Sequence, residues 1–129
     1  MKYKSLLLSV LGVALALVVT SEPVLGHHGG AAFDQTQTVT LEGPVTELKF
    51  ENPHVLVFWD VKGKDGATVQ WSGWLTAPNK LSRAGWTKHT LNPGDHITVS
   101  GTPHKGGNKI LQIRKLVGPD GKSLQLFES

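Results

Sequence analysis

Histidine is the residue type in this sequence best suited to binding or catalytic chemistry, and three of the six histidines lie at positions that a ligand could reach. His27 and His28 are adjacent near the start of the chain, and His54 follows an Asn52-Pro53 step that opens an apolar strand. Proline has no amide proton and holds the preceding residue in an extended conformation. The Asn52-Pro53 step therefore predicts that His54 lies at the edge of a sheet. The alternative is a structural histidine at the strand entry, hydrogen-bonded to a neighbouring carbonyl group.

The paired histidines form one half of a candidate metal site, whose members are His27, His28 and His54. If processing makes His27 the first residue, its free amine and its imidazole can chelate one metal ion, and the other two rings can complete the ligand set. Neutral nitrogen donors suit Cu(II), Ni(II) or Zn(II), and we name these three as the candidate cofactors. The alternative is that the two histidines belong to a polar leader without a ligand.

A second kind of chemistry, the binding of a small ligand, is indicated by tryptophan. Trp71 and Trp74 differ in parity along one strand, so one is expected in the core and the other on an outer face, where it could stack on a planar ligand. For Trp59 and Trp86 we prefer simple packing in the core. The predicted ligand-binding residues lie close to strand ends: Asn52, His54 and Trp74.

No pattern of catalytic residues stands out in this chain. It lacks a Ser-His-Asp, paired-carboxylate or HExxH spacing. Asp60 shares the strand parity of His54 but lies roughly 20 Å from it at about 3.3 Å per residue. We therefore favour a non-enzymatic binding module. The alternative is an accessory subunit that docks an exported protein partner through an exposed aromatic face of its sheet.

The N-terminus predicts export. Lys2 and Lys4 precede an apolar run of fourteen residues from position 6 to 19, and the small Val24 and Gly26 fit positions −3 and −1 of a cleavage site. Residues 1–26 are therefore predicted to be a signal peptide that is cleaved before His27. An uncleaved anchor is the alternative, but the run is shorter than the ~20 residues that span a bilayer. We expect a periplasmic or secreted protein without a stable membrane anchor after processing.

The processed chain is one small domain without cysteine, so its core must form without disulfides. Residues 27–37 are predicted to be a mobile leader, and residues 38–129 to be the folded domain. The calculated isoelectric point is 9.3, but basic residues are scattered along the chain and form no stripe. We therefore expect no nucleic-acid partner; the partner is an unknown small ligand or an exported protein.

Five β-like segments follow the leader. The first runs from Val39 to Phe50, and its apolar parity changes near Gly43-Pro44, which predicts a bulge or bend there. The second, His54 to Val61, is apolar on both faces and is therefore central. The others are expected at 67–75, 97–101 and 110–117, with a short last strand at 123–127.

One short helix is predicted between the third and fourth strands, in "TAPNKLSRAG". Thr76 is expected to cap it, Pro78 suits its first turn, and Gly85 suits its C-terminal end. A meander, a helix and a final hairpin in this order predict an all-β, OB-like barrel of five or six strands that is closed at one end by the helix. An open β-sandwich of the same strands is the alternative.

Several segments together resemble a known family: "HHGGAAFD", "ENPHVLVFWDV", "TAPNKLSRAGW", "LNPGDHITVSG" and "DGKSL". They are similar to the small exported bacterial proteins of domain-of-unknown-function family 6152. Members more often have serine and an aromatic residue after the two histidines, where this chain has Gly29 and Gly30. The resemblance implies export and this fold, and it names no activity. The positions that match its signature are His27, His28, Asn52, His54, Pro78, Asn79 and Trp86.

Overall fold

Residues 29–127 form a closed five-stranded barrel with one short α-helix. The computed structural model describes residues 29–127 of the 129-residue chain. Its elements are a 3₁₀ helix Gly29–Ala32, strands β1 Val39–Lys49, β2 Leu56–Lys62 and β3 Thr68–Trp74, helix α1 Pro78–Arg83, and strands β4 His96–Pro103 and β5 Ile110–Val117.

The strands close in the order β1-β2-β3-β5-β4, and β4 returns to β1. All neighbours are antiparallel except β3 and β5, which are parallel. This arrangement confirms the predicted OB-like barrel and excludes the open sandwich.

Strand alternation places the core as the sequence predicts. On β2 and the residue before it, Val55, Val57 and Trp59 are completely buried, while the residues between them are only partly covered. Gly73 lies against Trp59 from β3, because a Cβ at this position would collide with the side chain of Ile113 and lie 3.2 Å from the Trp59 ring. The core is thus built from the inward parity of each strand.

The bulge predicted for β1 is present, within the interval between Val45 and Leu48 over which the apolar parity changes. The register with β2 shifts between Val45 and Glu47, so the bulge lies beyond the Gly43-Pro44 step. Gly43 has a different role: a Cβ there would overlap the backbone carbonyl oxygen of Asp60. Glycine is therefore required by the close approach of the β1 and β2 backbones.

Helix α1 begins at Pro78, as predicted, but Thr76 does not cap it. The N-cap residue is Ala77, and its side chain makes no capping bond to the free amides of the first turn. Leu81 is completely buried in the core, which fixes the helix on the barrel. The chain leaves the helix through Gly85, whose φ of 95° is the left-handed conformation expected of a C-terminal glycine.

The predicted last strand is absent: within the described part of the chain, residues 123–127 contribute only an isolated bridge between Ser123 and Val117. Leu126 is nevertheless buried, and Trp86 donates from Nε1 to the carbonyl oxygen of Gln125 at 2.7 Å. The Leu124 amide also donates to the carbonyl oxygen of Leu116 at 2.9 Å, so the C-terminal segment is held by packing and by single hydrogen bonds instead of by a ladder.

The leader contacts the barrel over its described part. Phe33 is buried and forms a bridge with His104, and the Asp34 amide donates to the carbonyl oxygen of Pro103 at 2.8 Å. The predicted signal peptide (1–26), His27 and His28 lie outside the described residues. No helix within residues 29–127 has the length and hydrophobicity needed to cross a membrane.

Candidate functional site

His54 lies two residues before the start of β2, and its side chain is exposed. Its Nδ1 atom is 3.2 Å from the carbonyl oxygen of Leu75. A carbonyl oxygen can only accept, so Nδ1 carries the proton and the neutral ring keeps its lone pair on Nε2. The bond is the one expected of a structural histidine, and it is also the arrangement that orients a metal-binding imidazole.

A row of four rings begins at His54 and crosses the barrel surface. The imidazole stacks on the indole of Trp74, with ring centroids 5.4 Å apart and planes inclined by 15°. Phe33 meets Trp74 edge-on at 5.4 Å and His104 edge-on at 5.8 Å. Because Phe33 is buried between these rings, it anchors the segment that follows the two N-terminal histidines.

His104 at the far end of the row has the opposite tautomer. Its Nδ1 accepts a hydrogen bond from the backbone amide of Gly106 at 2.9 Å, so in the neutral ring the proton is on Nε2. Its side chain closes the turn between β4 and β5. Its hydrogen bond therefore serves a local turn, in contrast to that of His54.

A cavity of about 300 Å³ opens beside the stacked pair. One side is aromatic and apolar, and it includes Trp74 and Phe127. The other side is polar and includes Gln112 and Arg114 of β5. The complete lining is Gly30, His54, Trp74, Leu75, Thr76, Gln112, Ile113, Arg114, Leu126 and Phe127.

The polar side is organised by a hydrogen-bond network between the leader and β5. Arg114 donates from Nη2 to Oε1 of Gln35 at 2.9 Å and to Oε1 of Gln112 at 3.0 Å. The Gln112 oxygen also accepts from Nε2 of Gln35 at 3.2 Å and from the hydroxyl of Thr102 at 3.3 Å. Gln35 completes the link by donating to the carbonyl oxygen of Gly30 at 3.3 Å.

The predicted site residues are thus only partly brought together. His54 and Trp74 are in contact, whereas Asn52 is exposed and does not line the cavity. Gly30, two residues after His28, lines the same cavity as His54. Within residues 29–127 no group of three or more histidine, aspartate or glutamate side chains is arranged to hold a metal ion.

A second cavity, of about 570 Å³, lies on the β1-β2 side of the barrel and includes Glu42, Asp60 and His96. His96 Nε2 is 3.8 Å from a carboxylate oxygen of Glu42, and both side chains are well exposed. An exposed pair at this distance contributes little to stability, and it does not form a defined ligand set.

Sequence reasoning missed Phe33, Gln35, Gln112 and Arg114. Two signals were available. Phe33 is an isolated aromatic residue in an otherwise small and polar leader, and Gln112 and Arg114 share the parity opposite to the buried Leu111 and Ile113 on β5. Neither signal reveals that the leader meets β5, since Gln35 lies 77 positions from Gln112 and 79 from Arg114.

The comparison with protein families matches residues 14–112 to a family described as "Family of unknown function (DUF6152)". The chain belongs to this family. The residues matched to DUF6152 contain the histidine pair, His54 and Trp74, and they end at Gln112, before Arg114. The predicted resemblance is therefore confirmed, and it brings no activity with it.

No curated protein matches this DUF6152 chain. Among solved structures, the chain is similar to the protein in a crystal structure of a TiaS–tRNA–ATP complex, with a TM-score of 0.45 and 22% sequence identity. The match covers 67% of this chain and 19% of the other. The chain therefore spans about a fifth of the length of that protein.

Proposed function

We propose that this protein is an exported, non-enzymatic binding module that holds a transition-metal ion with His54 and the N-terminal histidines His27 and His28. One observation carries the proposal: His54 is exposed at a cavity, and its Nδ1 bond to Leu75 leaves the lone pair of Nε2 available. Cu(II), Zn(II) or Ni(II) fits such neutral nitrogen donors.

The connection to the N-terminal histidines is supported by chain length. Gly30 lines the cavity that His54 also lines, and His28 is two residues earlier. Two residues of extended chain span at most about 7 Å, so the chain connectivity keeps the backbone of His28 close to the residue that lines this cavity. Phe33 and Gln35 fix the following segment on the barrel, which lowers the entropy lost when the ligands converge.

The alternative role, docking of an exported protein, would use an exposed aromatic face. Within residues 29–127, Val69 and Phe127 are the large hydrophobic side chains with high exposure, at 39% and 59%. The ammonium group of Lys49 lies over the ring of Phe58. Trp71 pairs with the buried Trp59 and packs against the core, and the ammonium group of Lys109 lies over its ring. These observations do not favour a docking face, so we propose the metal-binding role alone.

The test is a calorimetric titration of the processed protein with Zn(II) and with Cu(II), accompanied by native mass spectrometry. We expect one ion per chain for wild type. His54→Ala should weaken binding at least about tenfold, since each lost ligand removes a directed donor. His89→Ala is the matched control, because His89 is exposed and lines neither cavity; it should bind like wild type.

Binding should weaken as the pH is lowered, because only neutral imidazole coordinates a metal. The melting temperature of the metal-free His54→Ala variant should stay close to that of wild type. If His54→Ala binds the ion as tightly as wild type and melts well below it, His54 is a structural residue and the proposal is wrong.

A further inference from the structure

The cavity beside His54 has a second property that the metal proposal does not use, namely an excess of hydrogen-bond donors on its polar side. From this we infer that it binds a small organic anion, a carboxylate attached to a flat ring, with Arg114 as its charged partner. The inference rests on the proposed function only in taking this cavity as the binding site. It does not require a metal ion.

The donors on this side outnumber the acceptors. Three donors, from Gln35, Thr102 and Arg114, converge on the same side-chain atom of Gln112. An atom that accepts from all three must be the amide oxygen, so the amide nitrogen with its two N–H groups is the other terminal atom. Within residues 29–127 this nitrogen donates to no acceptor.

Arg114 adds to this excess. Both of its hydrogen bonds use Nη2, which leaves three further N–H groups on Nη1 and Nε without an acceptor in the described part of the chain. Its acceptors, Gln35 and Gln112, are neutral amides, and no carboxylate of residues 29–127 forms an ion pair with it. The positive charge at this cavity is therefore not neutralised by the described residues, and a ligand that supplies acceptors and a negative charge would complete it.

The opposite side of the cavity selects the rest of the ligand. His54 and Trp74 present a stacked pair of flat rings, and Phe127 is 59% exposed beside them. A flat apolar ring placed here would cover Phe127 while its carboxylate faces Arg114. Contact between aromatic rings contributes more to binding free energy than the buried area alone. A cavity volume of about 300 Å³ accommodates a ligand with a single ring.

The experiment uses benzoate and its neutral analogue benzamide as probes of ¹⁵N-labelled protein that has been stripped of metal with a chelator and then dialysed. Shape is nearly the same in the two probes, so the difference in affinity measures the charge. The readout is the indole N–H signal of Trp74 in a two-dimensional NMR spectrum. The signals of Trp59, Trp71 and Trp86, which do not line the cavity, serve as internal references.

We expect benzoate to shift the Trp74 signal and to bind at least about tenfold more tightly than benzamide, because hydrogen bonds to a charged group are the stronger kind. Arg114→Gln should remove this preference, and Arg114→Lys should retain only part of it, since lysine lacks the planar fork. Lys115→Gln is the control: it removes the same charge from the next residue, outside the cavity lining, and should leave the preference intact.

The inference is wrong if benzoate up to about 10 mM leaves the Trp74 signal unmoved, or if the two probes bind equally. It is also wrong if Lys115→Gln lowers the preference as much as Arg114→Gln, which would indicate general attraction to a basic protein. The two proposals separate cleanly. A protein that prefers benzoate but binds no Zn(II) supports the anion site alone, and one that binds Zn(II) without the preference supports the metal site alone.

Discussion

The imidazole of His54 lies nearly parallel to the indole of Trp74, and the backbone carbonyl group of the residue after that tryptophan fixes the imidazole tautomer. The two rings come from neighbouring strands, since Trp74 pairs with Leu56, two residues after His54. The orientation of His54 therefore depends on the pairing of β2 with β3. Any change that shifts this register would move the histidine away from the cavity.

The core role of Trp59 gives a prediction about stability. Trp59 is completely buried, whereas Lys62 lies exposed at the end of β2. Trp59→Ala should lower the free energy of unfolding by about 3–5 kcal/mol, and Lys62→Ala should change it by at most about 0.5 kcal/mol. Urea denaturation at equal slope measures both. Equal midpoints would show that Trp59 does not support the core.

The contact between β1 and β2 at Gly43 predicts a site that tolerates no side chain. A Cβ at Gly43 would overlap the carbonyl oxygen of Asp60, which cannot move without breaking the sheet. Gly43→Ala should therefore lower the free energy of unfolding by more than the usual cost of overpacking, which is about 1–3 kcal/mol. Gly30→Ala is the control, because the Cβ that alanine adds there would meet no heavy atom within 4 Å. Similar melting temperatures for the two variants would contradict this account.

Asp34 predicts a pH dependence of stability. The hydroxyl and then the backbone amide of Thr36 donate to its carboxylate, and these bonds hold the pKa of Asp34 below its usual value of about 3.9. A lowered folded-state pKa gives stability that is fully present above the unfolded-state pKa and is lost as the pH falls through the folded-state value.

We therefore expect wild type to be more stable than Asp34→Asn near pH 7, and the difference to shrink below about pH 4. Chemical denaturation between about pH 3 and 7 measures it. Glu51→Gln removes one negative charge at an exposed position, and serves as the control for net charge. A wild-type advantage that grows on acidification would refute the role of these bonds.

Burial of the Phe33 ring is expected to support the backbone contacts of the leader with the barrel. Two backbone bonds lie beside it, from the Asp34 amide to Pro103 and from the Lys105 amide to Ala32, at 2.8 and 2.9 Å. Phe33→Ala should make both amides exchange hydrogen faster, while Thr38→Ala in the segment before β1 should not. If metal binding uses the N-terminal histidines, Phe33→Ala should weaken it as well. Unchanged exchange at both amides would show that the leader is held by other contacts.

The proposed export leads to a prediction about the N-terminus. Protein recovered from the culture medium or the periplasm should begin at His27, because Val24 and Gly26 are the small residues that signal peptidase requires. N-terminal sequencing measures this directly. Recovery of Met1, or of a start after His28, would remove the terminal amine from the proposed metal site.

The barrel could be predicted because local rules and the fold agree along most of the chain. The β5 strand has the predicted bounds, 110–117, and Trp71 and Trp74 have opposite parity without a bulge between them. The presence of a bulge in β1 was also predicted, whereas the cap of α1 was not. Threonine is the residue type that favours a cap, but the helix begins at Pro78 and its N-cap position therefore falls on Ala77.

His54 and Trp74 could be proposed as site residues from the sequence, because the residue pattern around each of them is sufficient to indicate its position at a strand end. The polar side of the cavity was not, because Gln35 and Arg114 are 79 positions apart and meet only once the leader has docked. Such a contact leaves no periodic signal in a single sequence.

The parallel seam between β3 and β5 has a consequence for how this barrel opens. Pairing there covers only residues 72–74 and 110–112, whereas every other strand pair has a longer register. Trp74 faces Gln112 across this short seam, so the aromatic and the polar sides of the cavity belong to two strands that can part most readily. A ligand that contacts both strands would cross-link the barrel at its shortest strand pairing. Ligand binding would therefore slow the hydrogen exchange of the backbone amides along the β3–β5 pairing more than it would change the conformation of the barrel.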